Sequence, residues 1–126
     1  MESEPEKEPI VRRLGDASPI ACPHGDVRRI ITGGEGGVAN LHLVRVTEGG
    51  AHFHRAYDEV YYVLSGKGSL RMADRTHVLE PGTAAVIPAG VVHSLRADPG
   101  DVLEFLIFGV PGMPMDDERA RPRRPE

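Results

Sequence analysis

The sequence predicts an antiparallel all-β domain, a jelly-roll β-barrel or sandwich. Runs rich in β-branched and aromatic residues recur along the chain, with turn signals about every 8–12 residues. No segment keeps a 3.6-residue apolar period over three turns, so no amphipathic helix is expected. The 15 glycines and 11 prolines among 126 residues supply the turns that such a fold needs.

Residues 1–25 read as an N-terminal arm, largely loop, broken by Pro5, Pro9, Pro19 and Pro23. Within it PIVRRL (9–14) has enough β character to pair as a strand. The β-domain is expected over 26–111. RRIIT, the turn GGEGG and ANLHLVRV read as strand, turn, strand, and Glu48–Gly50 as the next turn. AHFHRAYDEVYYVLSG (51–66) follows, with EVYYVLS strongly β-forming. SLRM and HVLE flank an ADRT turn. TAAVIP, VVHSLRA and DVLEFLIFGV complete the set, separated by Ala89–Gly90 and Asp98–Gly100. Beyond Pro111 the apolar pattern ends, and 112–126 is expected to be a mobile tail.

Composition narrows the function. The chain suits one domain, and at 40% hydrophobic and 27% charged residues it reads as ordinary globular protein. Net charge is −4. The basic run RARPRRPE is short, interrupted by proline and lacks aromatics, so no nucleic-acid partner is expected. No apolar run approaches the roughly 18 residues that a membrane-spanning helix needs. The acidic, proline-containing start does not resemble a secretory leader. Cys22 stands alone, without a Cys–His signature, as a small buried or half-buried residue suited to a reducing compartment. A cytoplasmic location follows as the expectation.

Chemistry concentrates in two segments. In a strand, residues i and i+2 share a face, so His52 and His54 aim side by side with α-carbons roughly 6.5–7 Å apart. Two imidazoles so placed can converge on one ion at the metal–nitrogen distance of about 2.0–2.1 Å. The loop RAYD then separates His54 from Glu59 and can return that carboxylate beside them. Alone, this pair of histidines reads as a surface feature. A second segment, GTAAVIPAGVVH (82–93), fixes turns by glycine and proline and starts a strand at His93, which can deliver a third imidazole.

These residues resemble the motifs of the cupin superfamily, small β-barrels. Its first motif is G-x5-H-x-H-x3/4-E-x6-G, matched here by His52, His54, Glu59 and Gly66. Its second is G-x5-P-x-G-x2-H-x3-N, matched by Gly82, Pro88, Gly90 and His93. Two positions depart: Val46 stands for the leading glycine and Ala97 for the closing asparagine. Neither is a ligand position. The resemblance implies His52, His54, Glu59 and His93 as ligands of one divalent transition metal per chain. It also implies a homodimer, often with exchanged N-terminal strands, for which PIVRRL is the candidate.

Nitrogen and oxygen ligation without thiolate suits Fe, Mn, Ni, Cu or Zn. Such a site favours a small substrate carrying a carbonyl, carboxylate, enediol or vicinal hydroxyl pair. Tyr61, Val63, Leu103, Phe105 and Ile107 are expected to line the substrate pocket, with Tyr61 either packing or offering its hydroxyl. His42 faces either the cavity or solvent, as does Glu104, whereas His24 and His77 read as solvated. No separate general base is legible. Cupins include dioxygenases, isomerases, decarboxylases, lyases and non-catalytic binders, and fold does not select among them. The expected function is a metal-dependent enzyme acting on a small oxygenated metabolite, as a dioxygenase, sugar isomerase or decarboxylase/lyase. The alternatives are a sugar or small-molecule binder anchored by the metal, and a barrel in which the ion is structural.

Overall fold

Eleven strands, all paired antiparallel, form two sheets in a computed structural model that describes residues 8–35, 38–113 and 119–120. They are β1 (Ile20–Cys22), β2 (Gly25–Ile31), β3 (Asn40–Val46), β4 (Glu48–His54), β5 (Asp58–Ser65) and β6 (Gly68–Met72). Then come β7 (Arg75–Leu79), β8 (Ala84–Ile87), β9 (His93–Ala97), β10 (Leu103–Val110) and β11 (Arg119–Ala120). The first sheet runs β1-β2-β3-β10-β5-β8 and the second β11-β4-β9-β6-β7. Chain neighbours such as β4 and β5 thus lie in different sheets, as the expected jelly roll requires. Among the described residues no helix is long and apolar enough to cross a membrane.

Alternation decides what each strand buries. On β5, Glu59, Tyr61 and Val63 point inward while Tyr62 and Leu64 stay exposed. On β10, Leu103 and Phe105 enter the core. Glu104 turns outward and pairs with Arg45 at 3.4 Å, which settles its orientation away from the interior. Val44, Val46, Leu70, Leu79, Ile87 and Leu95 complete most of the core from both sheets. Burying a side chain such as Leu70 fully contributes about 1.5–3 kcal/mol.

Two local expectations change within the chain. PIVRRL forms no strand in this chain: residues 9–13 are irregular, and Leu14–Asp16 make one 3₁₀ turn closed by the Asp16 carboxylate accepting from the Arg13 amide. The arm instead pairs through β1, whose three residues fit between Pro19 and Pro23 and form a hairpin with β2. Glu48–Gly50 are not a turn but the start of β4, pairing with β9. Of the expected tail 112–126, Arg119–Ala120 form β11 and pair with β4 at His54 and Phe53, and residues 114–118 and 121–126 lie outside the described residues.

Gly66 shows why the first motif closes on glycine. Its φ is +86°, and a Cβ there would stand 2.0 Å from the backbone oxygen of Val102. Only glycine fits that turn between β5 and β6.

Candidate metal centre

The bulge in β4 determines where the histidines point. Gly49 pairs with Leu95 and His52 with His93, so three steps on β4 match two on β9. One extra residue shifts the strand's parity, which brings His52 to the same inner face as Leu95 and His93. His54 follows two residues later on that face. Glu59 arrives from β5, in the opposite sheet. The turn ahead of His93 is tied to the same place: the Gly90 amide donates to His54 oxygen at 2.7 Å, and the Ala89 amide to Asp58 Oδ1 at 2.8 Å. Both motifs are therefore hydrogen-bonded to each other.

The four residues named from the sequence meet. One ligand atom from each of His52, His54, Glu59 and His93 lies within 4.8 Å of all the others, and all four residues are buried. The His52–His93 ring centroids are 4.3 Å apart and those of His52 and His54 4.9 Å. Glu59 Oε1 stands 3.1 Å from His54 Nε2 and 3.3 Å from His93 Nε2.

The far side of each ring fixes its proton. His52 Nδ1 donates to the Gly50 carbonyl at 2.8 Å, and His93 Nδ1 to the Val91 carbonyl at 2.9 Å. A carbonyl only accepts, so the proton sits on Nδ1 and the neutral ring's lone pair on Nε2. His54 Nδ1 meets the Tyr57 hydroxyl at 2.7 Å. His93 Nε2 is buried and, despite its nearness to Glu59, has no hydrogen-bond partner among the described residues. The Nε2 lone pairs of His52 and His93 thus gather with His54 and the Glu59 carboxylate around one buried point, where a cation would reconcile them. This donor set fits a divalent transition ion held by three imidazoles and one carboxylate.

Burial alone would raise the Glu59 carboxyl. The close approach of the His54 and His93 rings outweighs it and holds the group at about 2. Glu59 is consequently an anion at any physiological pH, as a ligand must be.

Tyr57 was not legible as a site residue, because it sits in the four-residue loop between the ligands. It is 4% exposed and stacks on His54 with ring centroids 4.6 Å apart. Its hydroxyl holds the ring's rotation. Tyr57→Phe removes that partner, and metal affinity is expected to fall about 10–100-fold with the fold retained, measured by competition with a chromophoric chelator.

The expected pocket residues all face the interior, but with different surroundings. Val63, Leu103 and Phe105 are packed in the core, each at most 2% exposed. Tyr61 is buried and its hydroxyl donates to Glu59 Oε1 at 3.4 Å. Ile107 is only half-buried, packed against the edge of the core. His24 and His77 are exposed, His24 lying 3.5 Å from Glu48, and Cys22 is half-buried against the core.

His42 faces the interior, 7% exposed. Burial, and secondarily the Arg29 charge, lower its pKa from 6.5 to about 4, against a smaller opposing pull from Glu59. The folded ring is neutral, whereas the unfolded one takes up a proton near pH 6.5. Stability from this group is thus present above pH 6.5 and lost as pH falls toward 4, by up to about 3 kcal/mol. Urea denaturation of the metal-free protein at pH 7 and pH 4 is expected to show this loss, reduced in His42→Leu.

A sequence profile described as Cupin domain matches residues 42–109, which include both motifs and all four ligand positions. The chain belongs to the cupin family. A relative from Streptomyces halstedii, Protein SchB, is 31% identical over 108 residues, covering 82% of this cupin and 78% of SchB. Among solved structures, KdgF from Halomonas sp. superposes with a TM-score of 0.69 at 19% identity, covering 82% of this cupin and 94% of that chain. A variant of Bacillus subtilis oxalate decarboxylase superposes with a TM-score of 0.74 at 20% identity, covering 93% of this cupin. This cupin spans about a third of the oxalate decarboxylase chains it matches, 31% and 34% in two of them. At these identities the superpositions establish the shared fold.

Proposed function

We propose that this cupin is a metal-dependent enzyme acting on a small oxygenated metabolite, as a dioxygenase, sugar isomerase or decarboxylase/lyase. The observation that carries this reading is the convergence of one ring nitrogen from each of three histidines and the Glu59 carboxylate at a buried site. A divalent ion held there would carry a net charge of +1 and polarise a carbonyl or carboxylate oxygen, stabilising negative charge that develops on it. The chain's own residues would set the conditions. Tyr61 orients the Glu59 carboxylate through its hydroxyl. Val63, Leu103 and Phe105 keep water from the inner side of the site, and Ile107 is the half-buried member of this lining. That a fold neighbour is named oxalate decarboxylase agrees with an enzymatic role but does not choose the reaction.

The test is a substrate screen on protein loaded separately with Fe(II), Mn(II), Ni(II), Cu(II) and Zn(II). Oxygen uptake, sugar isomerisation and CO₂ release are followed in parallel. Turnover that needs metal and vanishes in a folded His54→Ala variant supports the enzyme. Metal whose removal lowers the melting temperature, with no turnover in any assay, favours the structural ion instead.

We also read the outer face of the first sheet as the contact surface of a homodimer. Tyr62, Leu64 and Val86 are exposed there, beside the half-buried Val60, Leu106 and Phe108. Light scattering is expected to give twice the chain mass of 13.7 kDa, and Tyr62→Glu with Val86→Glu to return it to one chain.

A further inference from the structure

Register places one row of side chains across the inner face of the first sheet. Arg29 on β2 pairs with His42 on β3, His42 with Ile107 on β10, and Ile107 with Tyr61 on β5. Paired residues of antiparallel strands share a face. Val27, two residues before Arg29, packs against the core, so Arg29 stands on that same inner side. The row begins beside the metal centre and ends in solvent. Tyr61 is buried and touches Glu59, Ile107 is half-buried, His42 is buried again and Arg29 is exposed. His42 lies between the guanidinium and the metal-binding carboxylate, and both charges act on it.

His42 Nε2 is buried without a hydrogen-bond partner among the described residues. Leaving such a group unmet costs about 1–3 kcal/mol, so a polar occupant of the interior has a reason to meet it. Beyond it the next group in the row is a cation, and the metal centre with its ion carries +1. An occupant spanning these groups is therefore polar at His42 and negatively charged at Arg29.

We infer that Arg29 and His42 form a subsite for a carboxylate of the substrate, beside the metal centre. Arg29 supplies a charged two-donor fork at the mouth, and His42 supplies one neutral hydrogen bond further in. This rests on the metal-dependent reading above and narrows its substrate class to small organic acids carrying a second oxygen function toward the metal. Sugars without an acid group are excluded. A single guanidinium with a neutral imidazole suits a monovalent carboxylate better than a phosphate ester, which carries more charge.

The experiment uses ¹⁵N-labelled full-length protein, with and without metal. Acetate, glycolate, oxalate and succinate are titrated against acetamide, glycolamide, oxamide and succinamide, with inorganic phosphate as a separate arm. At least one acid is expected to shift the Arg29 side-chain and His42 ring signals and to bind at least tenfold tighter than its amide. Arg29→Gln, at an exposed position that tolerates glutamine, is expected to abolish that preference while one metal per chain is retained. His42→Leu is expected to weaken acid and amide alike, and His42→Gln to restore part of the binding. Equal binding of acids and amides, an unchanged preference in Arg29→Gln, or tighter binding of phosphate than of every acid would each overturn the subsite. So would the failure of every acid to move these signals. The subsite survives without the enzymatic reading if metal-free protein shows the same acid preference, and the enzymatic reading survives without the subsite if turnover needs metal but is indifferent to Arg29→Gln.

Discussion

His93→Ala is expected to abolish metal binding and every metal-dependent activity, and to weaken the metal-free fold only modestly. The residue is 1% exposed, its Nδ1 is committed to the Val91 carbonyl, and its Nε2 faces Glu59 at 3.3 Å. Loss of a direct ligand should exceed the roughly 10–100-fold drop in affinity that accompanies loss of an outer partner such as Tyr57. The vacated space and the weakened support of a buried carboxylate cost about 1–3 kcal/mol. Metal titration beside circular dichroism separates the two effects. His77→Ala, at an exposed position on β7, serves as the control that keeps its metal.

Phe105→Ala acts from the other direction, through packing. The ring is 2% exposed and lies 4.9 Å from Tyr61 between centroids. Truncating a buried phenylalanine typically costs about 3–5 kcal/mol, the lost burial plus the cavity that remains. A domain of this size has about 5–15 kcal/mol in total, so the variant should melt far below the parent yet still fold. The effect reaches the site because Tyr61, which donates to Glu59, rests on that ring. Metal affinity measured below the melting transition is expected to fall as well. A variant that melts like the parent would show that Phe105 does not support the core as its burial implies.

Much of this was legible because the relevant signals are local. Alternation along EVYYVLS and DVLEFLIFGV assigns Tyr61, Val63, Leu103 and Phe105 to one face, and the pleat alone enforces that. His52, His54, Glu59 and His93 were legible for a different reason: glycine and proline at fixed positions bracket them, and a spacing match to the cupin motifs carried the rest. Gly66 had a place in the motif before it had a reason, which the close approach of Val102 supplies.

What escaped depends on pairing between distant segments. The Glu48–Gly50 stretch looks like a turn because glycines favour turns, yet here they let β4 bulge against β9. Bulges are set by the partner strand, and one sequence segment does not contain its partner. PIVRRL forms no strand within this one chain, whereas the shorter Ile20–Cys22 has β2 a tight turn away. Tyr57 was hidden by its loop, since only the fold reveals that its hydroxyl returns to His54. His42 was ambiguous until the register set it on the inner face beside Val44 and Asn40.

The most direct measurement is the metal content of untagged protein by elemental mass spectrometry, beside a His52→Ala/His54→Ala double variant. One iron, manganese, nickel, copper or zinc per chain, absent from the double variant, is the predicted result. Protein that holds no metal after incubation with each of these ions would contradict the site.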